Sequence, residues 1–121
     1  MLNKSPNTQL GFNGEDLVCE YLERQGFRIV TKNHQWRGGE LDIVAERDDV
    51  LAFVEVKTRE RQHVSIAEMV PWSKQQKIVR TAQHFINKYP VTAKALRFDV
   101  AFVCAGEITY IPNAFTSGSS W

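Results

Sequence analysis

Asp42, Glu55 and Lys57 are the residues whose types and spacing could do chemistry. They lie on two short stretches, residues 38–45 and 51–57, each rich in Val, Ile, Leu or Phe and separated by Arg47-Asp48-Asp49. That composition and punctuation predict two strands. A two-residue turn at Asp48-Asp49 pairs Arg47 with Val50, Val44 with Phe53 and Asp42 with Glu55. Alternation then puts Asp42, Glu55 and Lys57 on one face of the hairpin. Opposed residues bring their Cβ atoms to roughly 4.5–5.5 Å, where like charges repel. Two carboxylates so placed call for a cation, and Lys57 lies too far along its strand to neutralise both. A divalent metal fits that vacancy of charge.

Charges on a sheet usually mark its solvated side. Here the expected acid-bearing face also carries Val44, Leu51 and Phe53, and the other carries Leu41, Ile43, Val54 and Val56. Both faces read as covered, and acids on a covered sheet are rarely left unpaired. Asp42 and Glu55 are hard oxygen ligands of the kind Mg²⁺ prefers. Lys57 beside them could orient or deprotonate a water and offset charge developing on a phosphate. No Gly-x-Ser-x-Gly, phosphate-cradling Gly-rich loop or Cys/His nucleophile pair is present. Hydrolysis of a phosphodiester is the reaction these residues favour.

The elements that must position this cluster follow from periodicity. Residues 11–25 are helical in pattern, with Val18, Tyr21 and Leu22 on one face and Gly26 as the stop. Glu15 sits at the edge of that face, where an acid also favours the helix dipole. Residues 27–31 form a short first strand, and residues 33–39 read as a loop into the hairpin. Trp36 and Arg37 in that loop suit either core packing or contact with a base and a phosphate. Ser73 and Gln76 give a capping-box pattern for a second helix ending near Lys88, with Ile78, Ala82, Phe85, Ile86 and Tyr89 as its buried stripe. Residues 97–104 form a buried strand, turned by Ala105-Gly106 into residues 107–111. Asp99 on the buried strand is either a further site acid or a partner of Arg97. The order α-β-β-β-α-β-β predicts an α/β sandwich around a central mixed five-stranded sheet.

Charge is unevenly spread. Residues 1–56 hold six Lys/Arg against ten Asp/Glu, whereas residues 57–97 hold nine Lys/Arg against Glu60 and Glu68. An acidic half with a metal cluster beside a basic half suits an enzyme acting on a polyanion. Arg59 and Arg61 leave the cluster on its following loop, and Lys74 and Lys77 flank the second helix. With Arg37 these are the candidate phosphate contacts. Cys19 and Cys104 lack metal-ligand spacing and read as buried thiols of a reducing compartment. The three histidines are scattered and have no zinc spacing. No apolar run reaches the roughly 18 residues of a membrane span, and the first ten residues are polar, so a cytoplasmic protein with no membrane partner is expected.

The sequence also resembles a known family. Asp42, then Glu55-x-Lys57 on the next strand, is similar to the signature of the restriction-endonuclease-like, PD-(D/E)XK, nuclease superfamily. Gly14-Glu15, Gly39-Glu40-Leu41-Asp42, Phe53-Val54-Glu55-Val56-Lys57-Thr58-Arg59 and Arg97-Phe98-Asp99-Val100, in that order, resemble the bacterial YraN-like family. That family is likened to archaeal Holliday junction resolvases. One departure is the absence of a glycine between Arg61 and Val70. The polar segment 1–10 and the low-complexity tail 116–121 are expected, as chain ends, to be mobile; between them the resemblance implies a restriction-endonuclease-like sandwich over residues 11–115. It implies a DNA endonuclease using Mg²⁺ or Mn²⁺, with branched or junction DNA as substrate and a homodimer as an allowed assembly. It adds Glu15 and the Val56 carbonyl to the metal ligands Asp42 and Glu55, with Lys57 completing the catalytic set. The alternative is a nuclease-like fold that binds nucleic acid or a repair partner without cutting.

Overall fold

A computed structural model describes residues 13–60, 65–93 and 95–118. Helix α1 (Gly14–Arg24) begins where the Asn13 side chain accepts the Asp16 amide proton at 2.9 Å, and it ends before Gly26, whose φ of +92° suits glycine. Strand β1 (Arg28–Trp36) follows, longer than expected, because the segment read as a loop pairs with the next strand as far as Trp36–Gly39. Strands β2 (Gly39–Arg47) and β3 (Val50–Arg59) form the expected hairpin, turned at Asp48-Asp49 with Asp48 at φ +55°. Its pairs run in the expected register from Arg47–Val50 to Ile43–Val54.

The capping box lies elsewhere than expected. It is formed by Ser65 and Glu68 on a short helix α2 (Ile66–Met69), within the segment that lacks the family glycine. Helix α3 (Trp72–Lys88) is capped by Pro71 without a side-chain hydrogen bond, so Ser73 lies inside it. A proline just ahead of the first turn presets the backbone without a hydroxyl. Tyr89 is the exposed C-cap, not part of the buried stripe. Strand β4 (Ala95–Cys104) lies parallel to β3, and β5 (Glu107–Phe115) returns through Ala105 and Gly106, both at positive φ.

The five strands lie in sequence order in one mixed sheet, parallel only between β3 and β4. One core packs the sheet against α3 through Val44, Phe53, Phe98, Val100, Ile78 and Phe85. The other packs it against α1 through Val18, Leu22, Ile43, Val54 and Ala101. Coverage of both faces explains the nearly unbroken burial of β4, because its side chains meet a core whichever way they point. Cys104 is buried as expected, but Cys19 is only half-buried; both are free thiols. The predicted N-terminal segment 1–10 and tail residues 119–121 lie outside the described residues. Among the described residues, no helix is long and apolar enough to cross a membrane.

Candidate active site

Strand β2 turns over at Asp42. Leu41 belongs to the α3-side core, yet Ile43, two residues on, belongs to the α1-side core. Regular alternation would keep both on one side. The register places Asn33 of β1 across from Asp42, and Asn33 has a φ of +54°. Asparagine tolerates this left-handed conformation better than most residues. The irregularity corrects the expected shared face of Asp42, Glu55 and Lys57. Glu55 and Lys57 lie on the α3 side, whereas Asp42 turns toward α1. The β2–β3 ladder ends at Ile43–Val54, so Asp42 and Glu55 stand where the two strands part. In place of the next ladder bond, the Val56 amide donates to Asp42 Oδ2 at 2.8 Å.

At this fork three acids converge. Glu15 from α1 and Glu40 and Asp42 from β2 place carboxylate oxygens within 4.8 Å of one another, a grouping that could hold a metal ion. Burial, and then the nearby Glu55 carboxylate, push Asp42 up to about 7, against the opposing pull of the Val56 amide. Glu15 is also raised, chiefly by burial and further by Glu40, while a hydrogen bond from Asn33 favours its charged form. Asn33 thus combines a left-handed backbone with a hold on Glu15.

Gly14 brings Glu15 to the fork. A Cβ at Gly14 would stand 2.4 Å from Thr58 Oγ1, so glycine lets α1 approach β3 this closely without displacing the Thr58 side chain. An ion pair between Lys32 of β1 and Asp16, at 3.0 Å, fixes the first turn of α1 from the other side.

Glu55 lies outside the three-acid grouping and is 6% exposed. Its Oε2 is met by Lys57 Nζ at 3.2 Å and by Lys74 Nζ, from α3, at 3.6 Å. Lys74 thus reaches the acid cluster instead of lying free as a phosphate contact. Arg37, Arg59 and Lys77 are exposed, and Arg61 lies outside the described residues. Arg59 donates to the Thr58 carbonyl at 2.8 Å. Arg37, at the tip between β1 and β2, and Lys77 form no ion pair among the described residues. Exposed Arg80, one turn beyond Lys77, extends this surface and shares its lack of an acidic partner.

Besides Asn33, two residues escaped the sequence reading of the site. Glu40 is two positions before Asp42, so period-two spacing was the available signal. Arg80 follows Lys77 by three on a helix, the spacing of neighbours on one side. Trp36 takes the packing role, stacked on His84 with ring centroids 4.7 Å apart.

Asp99 is not part of this cluster. It is fully buried and accepts hydrogen bonds from the Arg97 guanidinium at 2.9–3.2 Å, the Tyr110 hydroxyl at 2.5 Å and the Asn113 amide at 2.8 Å. These bonds close an irregularity in the β4–β5 ladder between Phe98 and Val100, where Asn113 has a φ of +54°. With its oxygens so occupied, Asp99 fastens the edge strand.

Comparison with known proteins gives one consistent result. A family model described as "Uncharacterised protein family UPF0102" matches residues 14–103. A UPF0102 protein of Alkaliphilus metalliredigens is 43% identical over 110 residues, covering 88% of this chain and 96% of the relative. One from Dictyoglomus turgidum is 35% identical over 116 residues, covering 90% and 98%. One from Coxiella burnetii is 34% identical over 110 residues, covering 88% and 91%.

Proposed function

Because the chain belongs to the UPF0102, YraN-like family of the restriction-endonuclease-like nuclease superfamily, we propose that it is a metal-dependent endonuclease hydrolysing DNA phosphodiesters. Branched or junction DNA is the substrate class this reading favours. The observation that carries it is the fork, where the ladder stops and Asp42 meets Glu15 and Glu40 beside the Glu55–Lys57 pair.

The donor set fits a hard divalent cation. All three grouped side chains offer carboxylate oxygens, and Asp42 is raised by burial first and then by the Glu55 charge, both of which a bound cation would offset. Glu15, Glu40 and Asp42 would hold the ion, with Glu55 and the Val56 carbonyl as further ligands from β3. Mg²⁺ or Mn²⁺ bound there would make a hydroxide nucleophile available near neutral pH and stabilise charge on the phosphoryl oxygens.

The chain's own groups do the rest. Lys57, anchored on Glu55, would orient the attacking water and offset charge growing on the scissile phosphate. Arg37, Arg59, Lys77 and Arg80 face solvent and would hold flanking phosphates.

Glu55→Gln and Lys57→Ala test the reading on single-stranded, duplex, flap and four-way DNA with Mg²⁺ or Mn²⁺. The wild type should cut at least one of these. Glu55→Gln should abolish cleavage with weakened metal binding, and Lys57→Ala should abolish it with metal binding retained. Equal cleavage by both purified variants and the wild type would reject the assignment. A wild type that binds these DNAs and never cuts them would make the protein a binding module on a nuclease fold.

A further inference from the structure

The carboxylate of Glu55 is held by two cations from different elements. Two ammonium groups converge on its Oε2. They are not equivalent. Lys57 is on the same strand, its side chain is 18% exposed, and it makes the closer contact. Lys74 comes from α3, is 43% exposed and makes the longer contact. Lys74 is therefore the cation that can leave while Glu55 stays paired.

Its position on α3 gives it somewhere to go. Lys77 follows it by three residues and Arg80 follows Lys77 by three, so cations succeed one another along the helix from Lys74. A nucleic-acid strand following Lys77 and Arg80 toward the fork would bring a phosphate within reach of Lys74.

Resting on the nuclease reading above, we propose that Lys74 is a positioning residue that shares Glu55 with Lys57 in the unliganded protein and passes to a phosphate of bound nucleic acid, leaving Glu55 with one cation fewer to compete against the metal. Lys74 and the metal compete for one carboxylate, whereas Lys74 and the nucleic acid cooperate. Because binding free energies are reciprocal, nucleic acid that withdraws Lys74 tightens metal binding, and the metal tightens nucleic-acid binding equally. The protein would then be loaded with metal mainly when substrate is in place.

The test is calorimetric titration of Mn²⁺ into the full chain without nucleic acid, comparing the wild type with Lys74→Met, which keeps the alkyl stem. Lys74→Arg serves as the charge-conserving control. Removing the competitor should tighten Mn²⁺ binding by about twofold to fivefold, the range for loss of a partly exposed ion pair. Lys74→Arg should stay near the wild type. In chelator, Lys74→Met should bind duplex DNA more weakly than the wild type. A residue that merely supports the fold would lower the melting temperature and weaken metal and DNA binding together. Mn²⁺ affinity unchanged or weakened in Lys74→Met, with wild-type binding intact, would overturn this inference and leave the nuclease reading standing. No Mn²⁺ binding by the wild type would overturn both.

Discussion

Asp42 does three things at once: it accepts the Val56 amide, it meets Glu15 and Glu40, and it feels Glu55. Its elevation from 3.8 to about 7 has a thermodynamic consequence. Between these values the folded protein keeps a proton that the unfolded chain has released. The metal-free protein should therefore lose stability as pH rises through that window and level off above it. Melting temperatures measured in chelator from pH 4 to 8 should show this decline, and Asp42→Asn should flatten it. A flat wild-type profile would reject the elevated proton affinity. At this scale the sequence was informative about residue types and less so about orientation. Asp42, Glu55 and Lys57 stood out because acids on an apolar hairpin need a reason. Asp42 turns toward α1 opposite the left-handed backbone at Asn33, and a single asparagine within a polar stretch did not announce it. The hold of Lys74 on Glu55 is a long-range contact between a helix and a strand, which periodicity along either element cannot reveal.

Among the elements, α1 is the one whose placement the site depends on most closely. Its first turn carries Glu15, and its distance from β3 is set by the missing side chain of Gly14. Gly14→Ala would drive a methyl group into Thr58 and push the helix outward. Urea denaturation should show a loss of about 1–3 kcal/mol, typical of overpacking, and calorimetry should show weaker metal binding because Glu15 moves with the helix. Adding Thr58→Ala makes room and should restore most of both. If the double variant is no better than Gly14→Ala, the close approach is not what fixes α1. The Gly14-Glu15 block was legible as a resemblance, and the clash with Thr58 supplies its physical reason. The start of α3 was misread because Ser73 and Gln76 match a capping spacing, while Pro71 begins the helix without needing it. The hairpin register was readable because an apolar alternation and a two-residue turn permit few other pairings.

Over the whole molecule, the acids gather at the fork while Arg37, Lys77 and Arg80 stand unpaired among the described residues nearby on α3 and the β1–β2 tip. If this surface carries a nucleic-acid backbone, affinity for duplex DNA should fall steeply with salt. Each single Ala replacement of these three should flatten the slope of log K against log salt by about one unit. Fluorescence anisotropy in chelator across a salt series measures it, and unchanged slopes would place the DNA elsewhere. The uneven charge of the two halves of the sequence pointed to such a surface. Which cations remain free was not readable, because pairing depends on what folding brings alongside.

The opening between β2 and β3 also bears on how such a protein can change over generations. Asp42, Glu55 and Lys57 stand beyond the end of the β2–β3 ladder, and β3 stays paired along its full length with β4. Replacing the three acts on the site while leaving almost every hydrogen bond of the sheet in place; the bond from the Val56 amide to Asp42 is the exception. Asp99 is the reverse, an acid whose loss would unfasten an edge strand and leave the fork untouched. Under the proposed nuclease reading, selection for the reaction and selection for the fold act on different acids of one sheet. A lineage can discard the first set, keep its shape and retain a binding protein, so an intact sandwich in a relative says little about cutting until its fork residues are read.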